Sequence, residues 1–154
     1  MVEDSDDGSS RALAIWFEFF NEIGIAHQLS RTLFESRLPD GITVAHFSVL
    51  NHLIRVRDGQ TPRALADAFQ TPKTSMTHTI AGLESLGYVS VRSNPRDGRS
   101  KLVWLTEAGR QFRDHAIGLL RLDVARIAEQ FDTELVAETT PVLAAIRQIL
   151  DRSR

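Results

Sequence analysis

Thr61-Pro62 and Thr71-Pro72 repeat one helix-start signal ten residues apart: a capping hydroxyl followed by a proline whose fixed φ suits a first helical turn. Only a short helix fits between them, with Leu65, Ala66 and Phe69 on its inner side. After the second pair, Met76, Ile80, Leu83 and Leu86 recur at helical spacing up to Gly87, a residue that enters the left-handed conformation cheaply and so ends helices. Two helices with a tight turn between them make a helix-turn-helix, whose second helix is expected over residues 72–86.

What flanks this pair narrows the fold further. Tyr88–Arg92 and Lys101–Leu105 are rich in β-branched and aromatic residues, and the intervening stretch 93–100 holds Asn94-Pro95 and Asp97-Gly98, both turn formers. A β-hairpin with a basic tip is expected. Upstream, Ala12, Ile15, Trp16, Phe19, Ile23, Ala26, Leu29 and Leu33 repeat at three- and four-residue steps until Pro39 and Gly41 stop the helix. A helix of ~27 residues spans ~40 Å, too long to be covered by so small a lobe. Thr43 caps a second helix with Phe47, Leu50 and Ile54 inside, ended at Asp58-Gly59. Downstream, Thr106 caps a long helix reaching Phe131, and Asp132 caps a last one containing Pro141, a residue that kinks helices. The expected class is mainly α with a small β-hairpin wing. Its parts are an acidic, disordered tail at 1–10, a dimerisation helix at 11–42, a winged helix-turn-helix lobe at 43–105 and C-terminal dimerisation helices at 106–154.

Charge is distributed to match. The chain carries 18 Lys/Arg and 20 Asp/Glu, a net of −2. Residues 61–105 nonetheless hold six cations against Asp67, Glu84 and Asp97, a net of +3, which leaves 12 against 17 elsewhere, a net of −5. An anionic partner should therefore meet the middle of the chain. With no cysteine there is no disulfide, thiol nucleophile or cysteine-bound metal. The first ten residues are acidic and no apolar run approaches ~20 residues, so neither a signal peptide nor a membrane span is expected and the location is read as cytoplasmic. His27, His46, His52, His78 and His115 are too dispersed for a metal motif, and no glycine-rich phosphate loop or nucleophile-base signature suggests an enzyme. No cofactor is implied.

The run from Leu83 through Gly87-Tyr88-Val89, Arg92 and Asp97-Gly98-Arg99-Ser100 to Leu105-Thr106-Glu107-Ala108-Gly109 resembles the pattern of MarR-family transcription regulators, and the element order agrees from about Ala12 to Arg152. The resemblance implies a homodimer that binds a pseudo-palindromic duplex operator, as a repressor relieved by a small aromatic or anionic effector. Helix 72–86 would read the major groove and wing 93–100 the minor groove. Arg99 becomes the groove-entering residue, and Asp97 the acid that orients a wing arginine, Arg92 or Arg99, through a carboxylate-guanidinium pair. His78 departs from the family, where many members carry arginine.

The residues admit these roles on physical grounds. Lys73, Thr74, Ser75, Thr77 and His78 suit phosphate oxygens and base edges near a helix N-terminus, although an ordinary solvated helix face has the same composition. Arg96 and Arg99 can enter a narrow groove, or simply protect a hairpin edge. Lys101 and Arg63 are candidates for backbone contact, and Arg55 and Arg57 fit a helix C-terminal cap as well as a phosphate. Trp16, Phe20, His46 and Phe47 are the candidate effector residues, for which plain core is the other reading. A winged-helix adaptor between proteins, without DNA, is the alternative function.

Overall fold

The computed structural model describes residues 4–153, and the chain divides into two units, Met1–Ala116 and Ile117–Arg154. In the first unit α1 runs from Asp4 to Glu35, α2 from Val44 to Arg55, α3 from Pro62 to Phe69 and α4 from Lys73 to Ser85. Strands β1, Val89–Asn94, and β2, Asp97–Leu105, form an antiparallel hairpin, and α5 begins at Glu107. Helix α5 ends at Leu119, past the boundary between the units. The second unit contains α6, Arg121–Ala128, and α7, Thr133–Arg152.

One core organises the first unit. Val49, Leu50 and Leu53 from α2, Leu65 and Ala66 from α3, Met76, Ile80 and Leu83 from α4, Val89 and Val103 from the hairpin, and Phe112 and Ala116 from α5 are all buried together. Only the C-terminal end of α1 joins them, through Phe34 and the following Leu38 and Ile42. Further toward its N-terminus α1 presents Leu13, Phe17 and Leu29 to solvent, each at least 66% exposed. Among the described residues of the second unit no apolar side chain is buried, and Leu122, Leu135, Val136, Ile149 and Leu150 are all exposed. Apolar surface on this scale marks an interaction face.

The caps show where the sequence signals act. Thr43 accepts from the His46 N–H at 3.4 Å while the His46 ring accepts from the Thr43 N–H at 3.1 Å, a reciprocal capping box. Thr61 Oγ1 accepts from the Ala64 N–H at 3.1 Å, and Pro62 opens α3. Thr71 does not repeat the device. Its N–H already closes α3 on the Ala66 carbonyl at 3.1 Å, and Pro72 occupies the N-cap of α4, so the second Thr-Pro pair sits one residue too early to cap. Gly87 ends α4 at φ 73°, with the Tyr88 N–H on the Leu83 carbonyl and the Gly87 N–H on that of Glu84, both at 2.9 Å.

Several expectations need correction. Residues 4–10 are the first turns of α1 and not a disordered tail, since lengthening an existing helix requires no new nucleus; residues 1–3 lie outside the described residues. Leu86 is 45% exposed and leaves the core, because it follows the last turn of α4. The single helix expected from Thr106 to Phe131 is two, α5 and α6, interrupted where the Leu120 N–H bonds the Ile117 carbonyl, three residues back, just after Gly118. The stretch 93–100 is not an open loop. Both strands run into it, leaving Pro95-Arg96 as a two-residue turn between the paired Asn94 and Asp97.

Candidate nucleic-acid interface

At 3.6 residues per turn, burial of Met76, Ile80 and Leu83 turns Thr74 and His78 directly outward, with Lys73 and Thr77 on one shoulder and Ser75 on the other. All five are exposed. The Thr77 hydroxyl donates to the Lys73 carbonyl at 2.8 Å, which leaves its lone pairs free to accept. The five expected residues of this helix therefore share one accessible surface.

The hairpin is fastened to α4 by a residue the sequence reading missed. The Glu84 carboxylate accepts from the Val91 N–H at 3.2 Å, joining the last turn of the helix to β1. A bond between residues seven apart in two different elements has no local sequence signature. A second fastening lies behind the Leu-Thr-x-x-Gly run. The Thr106 hydroxyl donates to the Gly87 carbonyl at 2.7 Å and accepts from the Gly109 N–H at 3.0 Å, while the Thr106 N–H reaches the Tyr88 carbonyl at 3.1 Å. Gly109 is buried, and a methyl group there would run into the Tyr88 carbonyl oxygen. Asp58 supplies a third, accepting from the Gly59 N–H at 2.8 Å and the Leu105 N–H at 2.9 Å. Gly59, at φ 66°, lies flat against the Trp104 ring.

Around the tip, side chains shape the backbone. Register slips between Ser93 and Asn94, so that Ser93 pairs with Lys101 and residues 98–100 bulge out of the ladder. Asn94 accepts from the Arg96 N–H at 3.0 Å and donates to the Ser100 hydroxyl at 2.8 Å. The Asp97 carboxylate accepts from the Arg99 N–H at 3.0 Å. Among the described residues no guanidinium pairs with Asp97, which corrects the expected carboxylate-guanidinium contact: its oxygen is committed to the bulge backbone. Arg96 stands in the turn, Arg99 in the bulge, and both are exposed, as are Arg92 and Lys101. Arg63 lies 3.8 Å from Asp67, so its charge is partly matched on its own helix.

The four candidate effector residues do not converge within one chain. Trp16 and Phe20 stack at 5.6 Å on α1 and are half exposed. Phe20 lines a shallow cleft of about 460 Å³ with Asn21, Gly24, Ile25, Gln28 and Leu29. Phe47 instead meets Phe34 edge-on at 4.6 Å against the core. Fourteen helical residues separate Phe20 from Phe34, roughly 21 Å along the axis. His46 sits at the start of α2 with a pKa below the usual histidine value, first because burial disfavours its charge and second because of the like charge of His78. Among the described residues no three His, Cys, Asp or Glu side chains gather as a metal set, and no helix is long and apolar enough to cross a membrane.

Comparison with known proteins agrees with this geometry. A MarR-family model matches residues 40–100, the segment from the turn before α2 through most of the wing. The transcriptional activatory protein BadR of Rhodopseudomonas palustris is 32% identical over 94 residues, covering 60% of this chain and 54% of BadR, so the match spans about half of that relative. The MarR transcriptional regulator of Methanosarcina mazei superposes with a TM-score of 0.76 over 89% of this chain and 99% of its own, at 24% identity. MarR of Escherichia coli, in its apo form, superposes at 0.69 over 82% and 94%, at 25% identity. With a MarR-family model on the helix-turn-helix and wing, and the fold of MarR regulators over most of its length, the chain is similar to the MarR family of winged-helix transcription regulators.

Proposed function

We propose that two copies of this chain bind one pseudo-palindromic DNA operator in the cytoplasm, each placing α4 in the major groove and its hairpin in the adjacent minor groove. The observation that carries the reading is the fastening of a basic hairpin to an exposed helix face through Glu84 and Val91. Lys73, Thr74, Thr77 and His78 then supply phosphate and base-edge contacts, and Arg96 and Arg99 supply cations for the narrow groove. Ser75 and Lys101 extend the same surface to the flanking phosphates.

Dimerisation rests on the uncovered apolar side chains of α1 in the first unit and of α6 and α7 in the second, which a second copy would bury. An aromatic or anionic effector would then act by changing the separation of the two reading helices. A site that unites Trp16 and Phe20 with His46 and Phe47 requires the second copy, because one chain keeps the two pairs apart. Repression follows where the operator overlaps a promoter and activation where it lies beside one; BadR is named as an activatory protein. Selection of bound duplexes from a random pool tests the whole reading. Enrichment of inverted half-sites about one helical turn apart, roughly 34–36 Å, is the expected result. A pool that shows no enrichment at low salt would refute it.

A further inference from the structure

His46 on α2 faces α4, and the charge of His78 on that helix reaches its ring. The His46 ring lies against Gly82, so close that a methyl group there would come within 2.6 Å of Nε2. His78 is one turn earlier on the same side of α4, between the surface facing His46 and the outermost surface. Nδ1 of His46 lies 3.1 Å from both the Thr43 N–H, whose bond it accepts, and the Thr43 hydroxyl; as acceptor it leaves the ring hydrogen of the neutral form on Nε2, toward α4.

A second proton can enter only at Nδ1, the atom that holds the cap. Uptake there has three consequences. The Thr43 N–H loses its acceptor, because a protonated Nδ1 is itself a donor and can turn only to the Thr43 hydroxyl. A positive charge appears at the N-terminus of α2, where the helix dipole opposes it. The same charge repels a protonated His78 across the contact with α4. Among the described groups on the elements packed here, which include Asp40 in the preceding turn, His78 on α4 is the one whose charge lowers the His46 pKa.

We propose that His46 is a positioning residue for α4 and that proton uptake on its ring weakens DNA binding, an inference that rests on α4 being the DNA-reading helix. The sign is opposite to that of His78 alone, whose protonation next to phosphates strengthens binding. Stability follows the same direction. The fold holds His46 below its ordinary 6.5, so the unfolded chain takes the proton more readily; the stabilisation is present above about pH 6.5 and is lost as pH falls through the lowered folded value.

The test uses the full chain and a duplex selected by the wild-type protein at pH 7.5. Imidazole nitrogen spectra of the free protein should show His46 as the Nε2–H tautomer, and His78→Gln should move its titration upward by removing the like charge. By fluorescence anisotropy at fixed ionic strength, wild-type affinity should fall at least about fivefold, the lower end of typical site coupling, between pH 7.5 and 5.5. His46→Gln keeps the capping box, since glutamine is a standard partner at that position, but does not titrate. Measured against its own value at pH 7.5, its affinity should be flat or rise toward pH 5.5. An Nδ1–H tautomer, a wild-type affinity that does not fall, or an equal fall in His46→Gln overturns the proposal. A protein that selects no duplex at pH 7.5 sinks the DNA-binding reading instead, and the imidazole titration then decides the coupling of the two rings by itself.

Discussion

Gly109→Ala isolates the contact that holds the start of α5 beneath the hairpin. Two effects compete. Alanine is the better helix former by about 0.8–1.0 kcal/mol, so propensity alone predicts a more stable protein. The added methyl, however, meets the Tyr88 carbonyl, and a backbone atom paired with the Thr106 N–H cannot swing aside as a side-chain end would. Helix α5 must retreat, at a cost of about 1–3 kcal/mol for overpacking. The retreat also stretches the two bonds from Thr106 to the Gly87 and Tyr88 carbonyls, each contributing about 0.5–1.5 kcal/mol. Even partial loss of those bonds leaves a net destabilisation of about 2 kcal/mol, which for a chain of this length lowers the melting temperature by roughly 4–8 °C. Gly118→Ala is the control, since no heavy atom lies within 4 Å of an added methyl and only propensity acts. Calorimetry should therefore find the two substitutions opposite in sign. If Gly109→Ala melts at or above wild type, the close approach to Tyr88 does not fix α5, and the explanation offered for the Leu-Thr-x-x-Gly run is wrong.

Asp97→Asn should bind the selected duplex at least as tightly as wild type, because the amide oxygen still accepts the Arg99 N–H while a negative charge disappears. Asp97→Ala should bind several-fold more weakly in the same titration, and equal weakening by both would restore the guanidinium pairing that the structure does not show. Lys73→Ala should reduce the slope of log affinity against log salt by about one unit if this ammonium neutralises one phosphate; an unchanged slope removes it from the interface. Leu143→Asp, on the exposed apolar side of α7, should shift sedimentation at micromolar concentration from dimer toward monomer, and an unaltered dimer would place the interface elsewhere.

Much of the fold was legible because its signals are local. Thr43, Thr61 and Thr106 cap the helices that follow them, Gly87 closes α4 in the left-handed region, and the apolar spacing of Met76, Ile80 and Leu83 fixes which face of α4 is free. The failures arise where a neighbour competes for the same group. Thr71 has the composition of a cap, but its N–H is spent on the preceding helix, and Pro72 takes the capping position. The length of the wing strands was missed because Asn94, Asp97 and Ser100 look like loop residues by type, whereas their side chains bond across the tip and stabilise a tight turn followed by a bulge. Aromatic spacing along α1 and α2 shows that Trp16, Phe20 and Phe47 occupy regular positions; it does not show that the first two lie about four to five turns of α1 from Phe34, against which Phe47 packs.

The acids of the basic segment follow one rule that a charge count hides. Asp67 is matched by Arg63 on its own helix, Glu84 accepts from the Val91 N–H, and Asp97 accepts from the Arg99 N–H. A carboxylate that takes a backbone N–H spreads part of its charge over that donor, and such bonds contribute about 1.5–3 kcal/mol. Each of the three keeps its charge but is held in place by a named partner. The cations on the same surface, Lys73, Arg92, Arg96, Arg99 and Lys101, have no acid within 4.0 Å among the described residues. The local excess of +3 is thus presented by cations that can turn toward an approaching duplex. Neutralising Glu84 removes a formal repulsion but also frees the hairpin from α4, so the two effects on affinity oppose each other. With the tether intact, the entropy of ordering the wing is met during folding and not at the moment of binding. That is the physical reason an acid is tolerated, and useful, at the edge of a surface built to receive an anion.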